Sequence, residues 1–165
     1  MLEDRLGHRF RDPTLLERAL TRKAFALEAR QRGEPCGDQE VFRTLGDAVL
    51  KAILVDLLVQ AGAGSREEIT RRKMALEREE QLAAMARDLG LGPALRLGAG
   101  EKRQGAAEEP YVLAESLEAV VGAIYLDGGF GAVRGAAVRW FGPRITGRGS
   151  RGPEGYAERN APPGF

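Results

Sequence analysis

The stretch Glu40 to Leu50, EVFRTLGDAVL, carries two carboxylates, Glu40 and Asp47, with Arg43 between them. Seven positions is close to two helical turns, so the three side chains share one helix face. A second stretch, AESLEAVVGAIYLDGG at 114–129, places Glu115 and Glu118 at i,i+3, flanked by Leu113, Leu117, Val120, Val121 and Ile124. Carboxylates crowded on the flank of an apolar helix repel one another, and burial makes this worse. A divalent cation among them would relieve the repulsion. Solvated acids and an ordinary Arg43–Asp47 surface pair are the plainer reading of the same residues, so spacing alone does not make an enzyme. Gly46 costs a helix about 1 kcal/mol relative to Ala but lets another backbone come close. If the two helices cross near Gly46 and Ala119, then Asp47, Glu115 and Glu118 converge.

The elements that must position these groups are helices. The chain has 165 residues, 43% hydrophobic and 30% charged, enough for one domain with a sizeable core. Only 6% is aromatic, so the core rests on Leu, Ala and Val, a composition that suits helices. Asp12 and Pro13 are an N-cap and first-turn proline for a helix over 12–21, and Gly33, Pro35 and Gly37 break the chain after it. A long helix is expected over about 39–59, with Val49, Leu50, Ile53, Leu54, Leu57 and Leu58 as its stripe. Ser65 and Glu68 form a capping-box pattern opening a helix over about 66–89, with Ile69, Met74, Leu76, Leu82 and Met85 inward and Gly90 closing it. Residues 98–110 read as a polar loop, and helices follow over about 111–126 and 130–141. The Gly-, Pro- and Arg-rich segment 143–165 reads as a flexible tail beyond a 1–142 domain.

Lys plus Arg number 25 and Asp plus Glu 24, so a nucleic-acid partner would need local basic patches. With one cysteine, Cys36, and one histidine, His8, a Cys/His zinc site is excluded. Oxygen ligands remain, which point to Mg2+, with Mn2+ able to substitute. The N-terminus MLEDRLGHRF lacks the apolar run of a signal peptide, and no uninterrupted apolar run reaches the ~20 residues of a membrane span. The expectation is a cytoplasmic protein without a membrane partner.

Taken together, these segments resemble the catalytic domain of the ribonuclease III family. The family signature, approximately E-x-x-E-F-L-G-D-[AS]-[VIL]-L, corresponds to Glu40 through Leu50. Its second motif, approximately L-A-D-x-x-E-A-[VL]-[IV]-G-A-[IV]-[YF]-L-D, corresponds to Leu113 through Asp127. Arg5 to Phe10, Leu15 to Thr21, and Leu91 to Glu101 match further segments in order, so the resemblance covers about 1–142. It implies an all-α, ribonuclease III-like helical bundle that pairs as a homodimer and cuts double-stranded RNA with divalent metal. The residues it implies for catalysis are Glu40, Asp47, Glu115 and Glu118, with Asp47, Glu115 and Glu118 as metal ligands.

Four departures stand out. Arg43 replaces a glutamate that is usually a metal ligand, and a guanidinium cannot bind magnesium. Thr44 replaces a phenylalanine that packs into the partner subunit, putting Phe42 and Thr44 at the dimer interface in question. Glu115 replaces an aspartate. Thr21-Arg22-Lys23-Ala24 replaces T-H-x-S. Arg43 is expected to pair with Glu40 and Asp47 and to supply part of the charge a metal would bring. About 20 residues follow the match, too few for the double-stranded-RNA-binding domain many relatives carry. RNA contacts are therefore sought on Arg66, Arg71, Arg72, Lys73 and Arg78, on Lys102 and Arg103, and on Arg144, Arg148 and Arg151. The leading expectation is an endoribonuclease weakened by Arg43 and Glu115. The alternative is a catalytically inactive ribonuclease III-like module for RNA binding or dimerisation.

Overall fold

The computed structural model describes residues 1–146. Eight helices carry them: α1 (Leu2–Leu6), α2 (Pro13–Ala19), α3 (Lys23–Gln31), α4 (Glu40–Gln60), α5 (Arg66–Leu76), α6 (Glu79–Leu89), α7 (Ala99–Arg103) and α8 (Pro110–Thr146). Short 3-10 turns at Gly92–Ala94 and Ala106–Glu108 flank α7. The described residues form no strand, only an isolated bridge between Thr21 and Arg96. The all-α expectation holds.

The centre of the bundle is α4 packed against α8, with α6 and α2 also lying on α8 and α5 on α4. All six residues of the predicted α4 stripe are buried, as are Leu113, Leu117, Val120, Val121 and Ile124 on α8. The approach is closer than side chains would allow. A Cβ at Gly46 would lie 1.7 Å from the carbonyl oxygen of Glu118, and one at Gly122 would lie 2.2 Å from that of Phe42. Two glycines, one per helix, each receive the other helix's backbone. The predicted crossing near Gly46 and Ala119 is therefore present, and it makes α4 and α8 one rigid unit.

Some boundaries differ from the sequence expectation. The helix expected over 66–89 is two helices, separated where Arg78 takes an extended backbone (φ −58°, ψ 142°). Neither glycine nor proline marks that break. Met74, expected inward, is 56% exposed. The loop expected over 98–110 contains α7, capped by the Glu101 carboxylate on the Gly98 N–H (3.0 Å). The stop at Asp127-Gly128-Gly129 is a kink: Gly129 (φ 75°, ψ −171°) turns the chain, and helix resumes to Thr146. The predicted tail beyond Thr146, including Arg148 and Arg151, lies outside the described residues.

By length and apolarity α8 could cross a membrane, contrary to the sequence expectation, but 56% of its most apolar stretch is buried in the bundle. Its kink is tied to the N-terminus. The Asp127 carboxylate accepts from the backbone N–H groups of Arg11 and Asp12 (both 3.1 Å) and meets His8 Nε2 at 2.8 Å. Trp140 Nε1 donates to the Leu6 carbonyl at 3.2 Å. His8 and Trp140 thus tie the N-terminal segment to α8.

The glycine crossing yields a direct test. Gly46→Ala drives a methyl group into the Glu118 carbonyl, so urea unfolding should show a loss of about 3 kcal/mol or more. A loss below about 1 kcal/mol would mean the helices separate easily.

Candidate active site

The crossing of α4 and α8 lays the two carboxylate motifs side by side. Arg43 lies one turn before Gly46 and Asp47 follows it, while Glu115 and Glu118 occupy successive turns of the facing helix. Asp47, Glu115 and Glu118 thus come to one region, as the motif spacing predicted. The start of α3, the end of α5 and α7 surround it with Arg22, Glu77 and Glu101.

Within that region the charges sort into two groups. In the first, Glu115 is gripped from both sides. Arg43 Nη1 donates to Glu115 Oε1, and Arg22 Nη1 donates to Glu115 Oε2 at 2.7 Å. Arg22 Nε also donates to Glu101 Oε1 at 3.1 Å. Fully buried Gln39 is best satisfied with its amide oxygen accepting from Arg22 Nη1 and its NH2 donating to the Ala19 carbonyl, each at 2.9 Å. Burial opposes the Arg22 charge, but hydrogen bonds to Glu115 and Glu101 outweigh it and hold the guanidinium more firmly protonated than usual. Two guanidiniums face two carboxylates, and the group is electrically closed.

This corrects the expected role of Arg43. It pairs with neither Glu40 nor Asp47; it reaches across to α8. Glu115 is a partly buried partner already aligned by Arg22. Among the described residues the Glu40 carboxylate makes no ion pair, and Glu40 contributes backbone contacts to Asp38 and Thr44. The significance of Arg22 was missed. Its place in the T-H-x-S departure was visible, but its partner lies 93 positions away.

The second group lines a cleft of about 170 Å³ formed by Asp47, Leu50, Lys51, Glu77, Leu82 and Glu118. Lys51 Nζ donates to Asp47 Oδ2 at 2.8 Å, and Lys73 Nζ donates to Glu77 Oε1 at 2.8 Å. The other Glu77 oxygen, Oε2, is shielded from solvent and has no partner. Three carboxylates here face two ammonium groups. Glu118 bears the imbalance: burial first and the Asp47 charge second push its carboxyl up to about 7, against the pull of Arg43 and Lys51. Glu77 belongs to neither carboxylate motif. The unforeseen break after α5 is what turns it toward the carboxylates.

The donor set is all carboxylate oxygen, which suits a hard cation such as Mg2+ or Mn2+. The two groups fit one unequally. Glu115 has both oxygens committed to guanidiniums. Asp47 and Glu118 have none so committed, and the orphaned Glu77 oxygen shows an unmet demand for positive charge beside them. As the side chains stand, no three acidic or histidine groups among the described residues are gathered closely enough to enclose an ion.

The remaining sequence candidates are peripheral. Phe42 is only 4% exposed, packed in its own chain's core beneath the Arg18 guanidinium, so it offers a partner little surface. Thr44 is exposed, its hydroxyl donating to the Glu40 carbonyl. Arg66, Arg71, Arg78, Lys102 and Arg103 are exposed. Arg72 is engaged with Glu68 and the Ile145 carbonyl, Lys73 with Glu77, and Arg144 with Asp88, which leaves them less available for phosphate.

Glu118 makes stability depend on pH. Its carboxyl titrates near 7 when folded and near its ordinary 4.5 when unfolded, so between these values the folded chain holds the extra proton. The Glu118 contribution to metal-free stability is therefore intact below about 4.5 and lost as pH rises through about 7. Urea unfolding at about pH 5 and about pH 8 should show that Glu118→Gln loses less stability over this interval than the wild type. Equal losses would contradict the assignment.

A sequence profile described as Ribonuclease-III-like matches residues 12–144. The Ribonuclease 3 of Bdellovibrio bacteriovorus is 42% identical over 134 residues, 81% of this chain and 56% of its own length. That of Geobacter sulfurreducens is 41% identical over 147 residues, 88% of this chain and 58% of its own length. The chain thus spans less than two thirds of these curated relatives. A solved nuclease domain of ribonuclease III from Campylobacter jejuni superposes with a TM-score of 0.75 at 32% identity, covering 84% of this chain and 92% of that one. Its description reports structural flexibility in the region of that domain involved in dimer formation. A profile match across most of the chain, relatives near 40% identity and the shared fold agree: the chain belongs to the ribonuclease III family.

Proposed function

We propose that this chain is a ribonuclease III-type endoribonuclease domain acting on double-stranded or structured RNA with Mg2+ or Mn2+, its activity lowered by Arg43 and Glu115. The observation that carries this reading is that Asp47 and Glu118 come together across the helix crossing, in a cleft whose lining holds no arginine. Magnesium keeps several waters and needs only one or two protein carboxylates, so Asp47 and Glu118 suffice as principal ligands. When bound, the cation supplies an activated water for attack on a phosphodiester and steadies the departing oxygen.

The chain's own residues set the terms of that chemistry. Asp47 and Glu118 would hold the ion from opposite helices, whose spacing the glycine crossing sets. Glu118 must give up its proton to act as a ligand, so cation affinity rises as pH passes through about 7. Arg22 and Arg43 keep Glu115 out of the ligand set. Exposed Arg71, Lys102 and Arg103, with the partly engaged Arg72 and Lys73, are the proposed phosphate contacts, which read A-form shape rather than sequence. Exposed apolar Val41 on α4 and Tyr125 and Leu126 on α8 support a homodimer, since large exposed apolar side chains mark interaction surfaces. A cytoplasmic location is part of the same proposal.

A second reading has a specific observation in its favour. With both Glu115 oxygens held by arginines, the domain is a non-catalytic module that binds RNA or pairs with an active relative. Cleavage of a long double-stranded RNA in Mg2+ and then Mn2+ separates the two. The first reading expects slow cleavage by the wild type, none by Glu118→Ala, and a gain of about tenfold or more, ~1.4 kcal/mol, in Arg43→Glu. Cleavage by Arg43→Glu alone would establish the second.

A further inference from the structure

We propose that Glu77 is a cation ligand of this chain, a third carboxylate brought by the end of α5 to join Asp47 and Glu118, so that the site takes a single divalent ion in the cleft these three residues line. The inference rests on the metal-dependent reading above and names a residue that neither carboxylate motif contains.

The cleft gives three grounds. The first is the orphaned oxygen. Glu77 Oε1 accepts from Lys73, but Oε2 is shielded from solvent without a donor, in a wall shared with Asp47 and Glu118. A buried carboxylate oxygen left without a donor or cation is costly, so it marks a place where positive charge is wanted. The second is charge. Asp47, Glu77 and Glu118 outnumber Lys51 and Lys73, and the Lys51 ammonium lies within the influence of all three carboxylates. Its Nζ donates to Asp47 Oδ2 at 2.8 Å, and it lines the cleft together with Glu77 and Glu118. Lys51 is thus the internal counter-ion of the metal-free chain. Its pair with Asp47 is nearly half exposed, and such pairs exchange partners easily. The third is room. About 170 Å³ accommodates an ion that keeps several waters, each of which occupies about 30 Å³ in the liquid.

Entry of the ion would turn Lys51 out to solvent and draw the three carboxylates inward by side-chain rotation, with α4, α5 and α8 left in place. Glu115 stays with its two arginines. The carboxylate position that Arg43 vacates on α4 is thereby offset from α5.

The test uses the full chain, metal-free, titrated with Mn2+ alone, with free Mn2+ read by its electron paramagnetic resonance signal. The wild type should bind one Mn2+ per chain. Glu77→Gln keeps the acceptor for Lys73 and removes only the charge, and it should weaken binding roughly ten- to hundredfold. Its metal-free thermal midpoint should equal or exceed that of the wild type, which separates lost ligation from lost folding. Wild-type affinity in Glu77→Gln, with binding abolished in Glu118→Gln, would overturn the role of Glu77 and leave the metal-dependent reading standing. No binding by the folded wild type would overturn both.

Discussion

The structure depends on one constraint, the backbone contact between α4 and α8 at Gly46 and Gly122. Each glycine lies against a carbonyl of the facing helix, where a methyl group would overlap backbone atoms. Helices held at this distance cannot slide or rotate without clash, so the side chains beside the contact inherit fixed positions. Asp47 and Glu118 line a cleft beside it, and Arg43 meets Glu115 close by. The site is a consequence of how the two longest helices pack.

The same contact explains why a single charge reversal reorganises only part of the site. Arg43 is close enough to α8 to bond Glu115, and Arg22 approaches the same carboxylate from α3. Once both are bonded, Glu115 is a partner in an ion-pair network closed by Glu101. Removing one member of such a network leaves uncompensated charge, which is more damaging than the network is stabilising. Asp47 and Glu118 escape because neither is hydrogen-bonded to an arginine, and their cleft retains an excess of carboxylate.

Much of this was legible in the sequence. The apolar stripes of α4 and α8 have helical period and little ambiguity. Gly46 inside a helix announced a close approach, and the paired motifs placed Asp47 near Glu118. The parts that were not legible are long-range or unpunctuated. Arg43 was assigned to Glu40 and Asp47 because local spacing is all a sequence displays, whereas the chosen partner lies 72 positions on. Glu77 was hidden because the α5–α6 break carries no glycine or proline, so the pattern read as one uninterrupted helix. Phe42 was set at a partner interface, while its burial beneath Arg18 depends on how α2 packs, which no motif encodes.

The central claim is that two arginines have withdrawn Glu115 from ion binding while Asp47 and Glu118 remain available. Anomalous diffraction from crystals soaked in Mn2+ tests it most directly, because it locates the ion relative to each carboxylate. The account predicts a peak in the cleft between Asp47 and Glu118, with Glu115 still bonded to Arg22 and Arg43. A peak bridging Glu115 and Glu118, with Arg43 swung aside, would contradict it.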